Sequence, residues 1–300
     1  MKVFVTGASG LVGSALVPYL TTGGHRVTRL VRSPPRPGAA EIYWDPAAGV
    51  QDLGSLEGMD AVVHLAGENI AGGRWTAARK AKIRDSRVIG TRTLCETLAR
   101  LPQPPTVLVS ASAIGYYGDR GAEPLWENSA FGSGFLPEVC RAWEEATQPA
   151  VQKGIRVVLL RIGIVLSPAG GALAKMLLPF KLGLGGVVGS GNQYMSWIAL
   201  DDVAGAIAHS LETDTLQGPV NAVAPFPVTN REFTRTLGRV LGRPTVFPLP
   251  AFGARLVFGE MADALLLAST RVEPKRLLAT QYGFRYPELD GALRHLLGKA

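Results

Sequence analysis

The chain has 300 residues, 47% hydrophobic and 18% charged, with a net charge of +7, two cysteines and four histidines. That composition excludes a disordered chain and a disulfide framework, and no apolar run approaches the ~20 residues a membrane span needs. The basic residues are dispersed and no metal-ligand pair such as C-x-x-C is present, so neither a nucleic-acid partner nor a metal is expected.

The N-terminus, MKVFVTG, is already strand-like and lacks the charged and apolar segments of a signal peptide, which predicts a cytoplasmic chain. KVFVT reads as a first strand, GLVGSALVPYL as a helix and RVTRLV as a second strand. Pro18 inside that helix is expected to kink or shorten it. EIYW is a third strand, AVVHLAG a fourth, residues 76–99 a long helix and TVLVSAS a fifth strand. A helix from about 135 to 152 follows, and then the apolar run IRVVLLRIGIVL. Such alternation predicts an α/β fold with a Rossmann doubly wound parallel sheet, covered on both faces.

Past residue 165 the rhythm changes. GGALAKMLLPFKLGLGGVVGSGNQY is glycine-rich and interrupted, and MSWIALDDVAGAIAHSL is a strand running into a helix with Asp201 or Asp202 as its N-cap. After about residue 224, prolines and short helices dominate. The expected division is a Rossmann domain over 1–165 and 195–222. The substrate-side region, with a smaller and mostly helical C-terminal domain, takes 166–194 and 223–300. It should pack over the sheet's carboxyl edge, where open α/β sheets bind ligands.

The sharpest motif is VTGASGLVGSAL, in which Gly7, Gly10 and Gly13 form G-x-x-G-x-x-G between the first strand and the first helix. Glycine permits the tight turn, lets a pyrophosphate approach the backbone and lets helix pack close on strand. The helix N-terminus adds free N–H groups and partial positive charge. The candidate dinucleotide loop is therefore Gly7, Ala8, Ser9, Gly10, Leu11, Val12 and Gly13. At the end of the second strand, LVRSPPRPG places Arg32 and Ser33 where NAD-preferring folds carry an acid for the ribose hydroxyls. Arginine cannot accept those bonds but suits a 2′-phosphate, with Ser33 as a second donor, so NADP(H) is favoured over NAD.

Together with HLAGENIAGGRW, DSRVIGTRTL, SASAIGYYG, FLPEVCRAWEEA, GLGGVVGSGNQYMSWI and RVEPKRLLATQYGFRYPEL, this loop resembles the extended short-chain dehydrogenase/reductase superfamily of NAD-dependent epimerases and dehydratases. More narrowly, the chain is similar to an atypical subgroup with its own C-terminal domain, often called only "epimerase family protein". The resemblance covers nearly the whole chain. It implies that Leu65, Ala66 and Gly67 line the adenosine and ribose side and that Arg87 contacts the cofactor from the long helix. The alternative for Arg87 is a surface charge paired with Asp85 or Glu96. Arg161 joins the cofactor-binding candidates. Glu68 and Asn69 either face the nicotinamide or cap the following turn.

The resemblance also implies Tyr-x-x-x-Lys on the helix after the fifth strand, with a glutamate four residues beyond the lysine. Anchoring on Glu144 puts Leu136 and Cys140 at those places; anchoring on Glu145 puts Pro137 and Arg141 there. Neither register supplies the base. The candidate catalytic groups are therefore Ser112, to polarise a substrate oxygen, and Tyr117, to donate a proton, with Tyr116 as its neighbour and competitor. Cys140 lacks a nearby histidine to make it a nucleophile. Lys175, Tyr194, Trp197 and Arg276 either reach the cleft or belong to surface and core. The expected function is an NADP(H)-dependent oxidoreductase reducing a small carbonyl substrate. The alternatives are a redox-sensing or scaffold NADP(H) binder without turnover and a nucleotide-sugar epimerase, the latter disfavoured by the missing pair. No nucleic-acid or membrane partner is expected, and a homodimer is left open.

Overall fold

The computed structural model describes residues 1–299. The first half alternates as β1 (Lys2–Thr6), α1 (Leu11–Thr22), β2 (Arg26–Val31), β3 (Glu41–Tyr43), β4 (Ala61–His64), α2 (Ala77–Ala99) and β5 (Val107–Ala113). Then come β6 (Pro124–Leu125), α3 (Phe135–Glu145), α4 (Gln148–Gln152), β7 (Arg156–Ile162), β8 (Ile164–Ser167) and α5 (Gly171–Lys181). The chain continues through β9 (Tyr194–Met195), β10 (Trp197–Ala199), α6 (Leu200–Glu212), β11 (Gly218–Ala222) and β12 (Val228–Thr229). It closes with α7 (Asn230–Leu241), α8 (Ala251–Phe258), α9 (Glu260–Ala262), β13 (Arg271–Val272), α10 (Lys275–Ala279) and α11 (Leu289–Leu296).

Seven strands form one sheet in the order β3-β2-β1-β4-β5-β7-β11, every pair parallel. The order reverses between β1 and β4, which places the glycine loop at the switch point where such sheets bind ligands. Both faces are covered, and the strand pattern shows why. Val3 and Val5 enter the cluster on the face covered by α1 and α6, with Leu16, Leu20 and Ile207, while Phe4 enters the opposite cluster with Leu94, Leu98 and Trp44. Alternate residues of a strand point to opposite faces, so a sheet buried twice needs apolar residues at every position. A third cluster, with Leu173, Phe180, Trp197, Phe233 and Leu293, takes all its buried members from beyond residue 165.

Four local expectations are corrected. Helix α1 does not end at Pro18 but runs on to Thr22. Ser14 and Pro18 are both exposed, so the Ser14 carbonyl deprived of its N–H partner faces water. The helix expected over 135–152 is two helices, broken at Ala146–Thr147 ahead of Pro149, which sits in the first turn of α4. The run IRVVLLRIGIVL is two strands: β7 stays in the main sheet and β8 leaves it at Gly163 to pair with β10. A Cβ on Gly163 would stand 2.7 Å from the Ser196 carbonyl oxygen, so only glycine allows that crossing. Finally, α6 is preceded by Ala199 without a side-chain cap. The buried Asp202 instead accepts the backbone N–H groups of Arg285 (2.7 Å) and Tyr286 (3.0 Å), pinning the C-terminal segment to α6.

Candidate active site

The glycine loop is built as an anion cradle. Gly7 has φ +67°, and a Cβ there would lie 2.7 Å from the Leu65 backbone. One on Gly13 would overlap the Gly7 carbonyl. These two glycines let β1, the loop and α1 close on each other. Gly10 differs, because a Cβ there would meet only the Gly7 oxygen, at 3.3 Å. The space above it is open, at the uncapped N-terminus of α1 with no acid in its first turn. Among the described residues the N–H groups of Leu11, Val12 and Gly13 meet no protein acceptor, as a site for a pyrophosphate requires. Ala8 and Val12 pack their side chains on the core, so they serve the loop through their backbone, and Ser9 is exposed.

Beneath the loop lies a network that sequence reasoning missed. Thr6 Oγ1 accepts the N–H groups of Leu65 and Ala66, both at 3.2 Å, and so gives its proton to His64 Nδ1 at 2.7 Å. His64 Nε2–H then donates to Thr91 Oγ1, which also accepts from Trp143 Nε1, both at 2.9 Å. Burial drops the His64 pKa to about 4, which keeps the ring neutral. The histidine thus ties the turn at Leu65, Ala66 and Gly67 to α2 and α3. The signal was a titratable side chain ending the apolar strand AVVH.

Arg32 and Ser33 stand exposed at the end of β2, and neither meets a protein partner among the described residues. The nearby Arg36 is held by Glu41, with Nη2 and Oε1 2.7 Å apart. Arg32 is therefore the cation left free there. Arg87 is not paired with Asp85 or Glu96. Its Nη1 donates to the Glu68 carbonyl (3.0 Å) and its guanidinium lies over Trp143. It borders Gly67, whose Cβ would stand 3.4 Å from the Arg87 Cζ. Glu68 itself pairs with Arg79 at 2.7 Å, and Asn69 caps the following turn through the Ala71 N–H.

The β5–α3 end is organised differently. Glu145 pairs outward with Arg141, both more than half exposed, whereas Glu144 points inward to Arg161. In the register anchored on Glu144, the tyrosine's and lysine's places fall on Leu136 and Cys140. Burial, then the Glu144 charge, pushes the Cys140 thiol up to about 12, which disqualifies it as a nucleophile.

Arg161 departs from its expected role. It is 2% exposed and its fork is fully engaged: Nε and Nη2 meet Glu144 at 2.8 Å each, and Nη1 meets the Tyr117 hydroxyl at 3.0 Å. Burial alone would lower its pKa, but Glu144 and Tyr117 outweigh burial and hold it above the usual value. It cannot also bind a cofactor. Tyr117 is corrected as well. It is fully buried, its hydroxyl donates to Asn221 Oδ1 at 2.7 Å, and desolvation raises its pKa to about 12. Ser112 is 3% exposed and gives its one proton to Glu144 Oε1 at 2.7 Å, so none is left for a substrate oxygen. The phenol left at this strand end is Tyr116. It is half-buried, its ring lies 3.5 Å from the Arg161 guanidinium carbon, and its hydroxyl meets no protein partner among the described residues.

Further out, Lys175 donates to the Ala71 carbonyl at 2.9 Å, Trp197 is core, and Arg276 binds the Gln217 and Pro219 carbonyls. Arg74 donates to the Leu256 carbonyl at the end of α8. The segment GENIAGGRW therefore ties α5 and α8 to the sheet. A hollow of about 480 Å³ among Thr93, Glu96, Arg100 and Pro149 includes none of the expected site residues, and we give it no role.

Residues 3–222 match the NAD dependent epimerase/dehydratase family, and residues 249–296 match a domain of unknown function, DUF1731. An epimerase family protein of Mycobacterium tuberculosis is 45% identical over 291 residues, 97% of this chain and 96% of its own. The human epimerase family protein SDR39U1 is 39% identical over 300 residues, 99% of this chain and 100% of its own. A crystal structure of the human protein (isoform 2) with NADPH superposes with a TM-score of 0.91 at 38% identity, over the whole of both chains. A nucleoside-diphosphate sugar epimerase structure from Corynebacterium glutamicum gives 0.82 at 40% identity, over 99% of this chain and 58% of its own. The chain belongs to the NAD dependent epimerase/dehydratase family and carries a DUF1731 region after the Rossmann fold.

Proposed function

We propose that this chain binds NADP(H) and reduces a small carbonyl substrate. The observation that carries the reading is the open cradle of Gly7–Gly13 with an unpaired Arg32 at the end of β2, a donor set that suits a phosphorylated dinucleotide. The human relative crystallised with NADPH supports it. The backbone from Leu11 to Gly13 would hold the pyrophosphate, and Arg32 with Ser33 the 2′-phosphate. The bound cofactor would supply the hydride. Tyr116 would give the proton to the substrate oxygen, steadied from behind by Arg161.

A screen of NADPH oxidation against aldehydes, ketones and nucleotide sugars tests the reading. Once a substrate is in hand, Tyr116→Phe should lower kcat by ~10²–10⁴-fold. A Tyr116→Phe protein with the wild-type rate would sink that assignment. Interconversion of nucleotide sugars without net NADPH consumption would favour the epimerase instead. A second reading, a non-turnover NADP(H) binder, draws on Ser112, whose only proton is committed to Glu144. Saturable NADPH binding with no oxidation across the screen would select it.

A further inference from the structure

Strand β13 carries an arginine without an acceptor. Among the described residues every other arginine that is at least partly buried meets a carboxylate or carbonyl oxygen, as Arg161 meets Glu144 and Arg276 meets Pro219. Arg271 meets none. Its guanidinium carbon lies 5.1 Å from the centroid of the Tyr194 ring, and its Nε is buried with no partner. Nε alone is buried; the two terminal nitrogens reach the surface, so the outer edge of the fork is open to an acceptor.

Its place in the fold points to the ligand. Thr270 Oγ1 donates to the Gly118 carbonyl at 3.0 Å and Arg120 N–H to the Ser269 carbonyl at 2.9 Å, so β13 runs along the loop that continues from Tyr116. Val272 enters a buried cluster with Tyr117, against which Tyr116 packs. Neighbours in a strand point oppositely, so Arg271 faces away from that cluster, toward Tyr194. Tyr194 begins β9, which leads into β10 beside β8, beyond the carboxyl end of β7. The guanidinium thus stands at the same end of the sheet as the glycine loop and Tyr116.

We infer that Arg271 receives an anionic group of the substrate, a carboxylate or a phosphate, since the guanidinium fork binds either in bidentate fashion. The inference rests on the carbonyl-reductase reading of the site and narrows its substrate to a small acidic carbonyl compound. The test loads the protein with NADPH and titrates inorganic phosphate and succinate calorimetrically into wild type, Arg271→Gln and Arg271→Lys, with unfolding midpoints measured in parallel. Wild type should take up one anion, Arg271→Gln should bind it at least tenfold more weakly, and Arg271→Lys should lie between them. Tighter phosphate points to a phosphate ester, and tighter succinate to a carboxylate. If Arg271→Gln does not fold, Arg271→Lys alone must still weaken uptake several-fold. Equal uptake by wild type and variants, or no uptake by wild type, overturns the inference. Failure of NADPH itself to bind, with the Arg271-dependent uptake intact, would instead remove the reductase reading and leave the anion site standing.

Discussion

The two ends of the candidate site handle polar groups in opposite ways. At the β1–β2 end, the N–H groups of Leu11, Val12 and Gly13 and the guanidinium of Arg32 are left without partners among the described residues. At the β5–α3 end, Ser112, Glu144, Arg161, Tyr117 and Asn221 satisfy each other almost completely. Unsatisfied donors in reach of solvent await a ligand, while a closed buried network holds backbone elements in place. The comparison separates the parts of this site that can bind from the part that positions. It leaves Tyr116 as the group at the second end with a free hydroxyl.

The largest expected effect breaks the closed end. Arg161→Met would leave the Glu144 carboxylate buried with Ser112 as its remaining donor, while Glu144, Arg161 and Asn221 join α3, β7 and β11. Breaking a buried pair from one side costs about 3–5 kcal/mol, because the orphaned charge stays desolvated. Urea unfolding should show that loss, and the double variant Arg161→Met with Glu144→Gln should recover part of it. If both proteins unfold at the wild-type midpoint, the network does not position the strands.

This contrast also explains what was legible in the sequence. The glycine loop and Arg32 are local, fixed by residues next to each other in the chain, and backbone sterics dictate their use. The doubly covered parallel sheet was legible too, because every strand face must be apolar in such a sheet, but its strand order was not. The network was not, since Ser112, Glu144, Arg161 and Asn221 lie far apart in sequence and meet only once β5, β7 and β11 are aligned. A partial signal existed: an arginine inside RVVLLRI must find a buried acid, which argued against assigning Arg161 to a cofactor. Choosing Tyr116 over Tyr117 needed the turn after β5, whose geometry puts Tyr117 in the core and leaves Tyr116 half-buried.

His64 sharpens the comparison, because it closes the interior beneath the open end with a neutral group and not an ion pair. In the unfolded chain it titrates near 6.5, and burial lowers it to about 4 in the fold. Between these values the unfolded chain binds the extra proton, so stability rises with pH across that window. The contribution is fully present above pH 6.5 and is lost as pH falls toward 4, amounting to about 3 kcal/mol at 1.36 kcal/mol per unit. Unfolding free energies of wild type and His64→Gln, measured at pH 7 and pH 4, should converge by that amount on acidification. Parallel pH profiles would mean that His64 is not held neutral.

The smallest effect belongs to Arg32, and it tests whether the open end recognises what it is shaped for. Arg32 is exposed and carries no ion pair among the described residues, so its removal should leave stability within the ordinary range of a surface change. Its contact with a 2′-phosphate would be charge-assisted, worth about 1.5–3 kcal/mol. Because NADH lacks that phosphate, the loss should fall on NADPH alone. Arg32→Ala should therefore bind NADPH ~10–100-fold more weakly while NADH affinity hardly moves. Fluorescence titration of both cofactors against both proteins reads the difference directly. A variant that loses NADPH and NADH equally would show that Arg32 supports the loop in general. One that loses neither would place the phosphate-reading group elsewhere on the β2 edge.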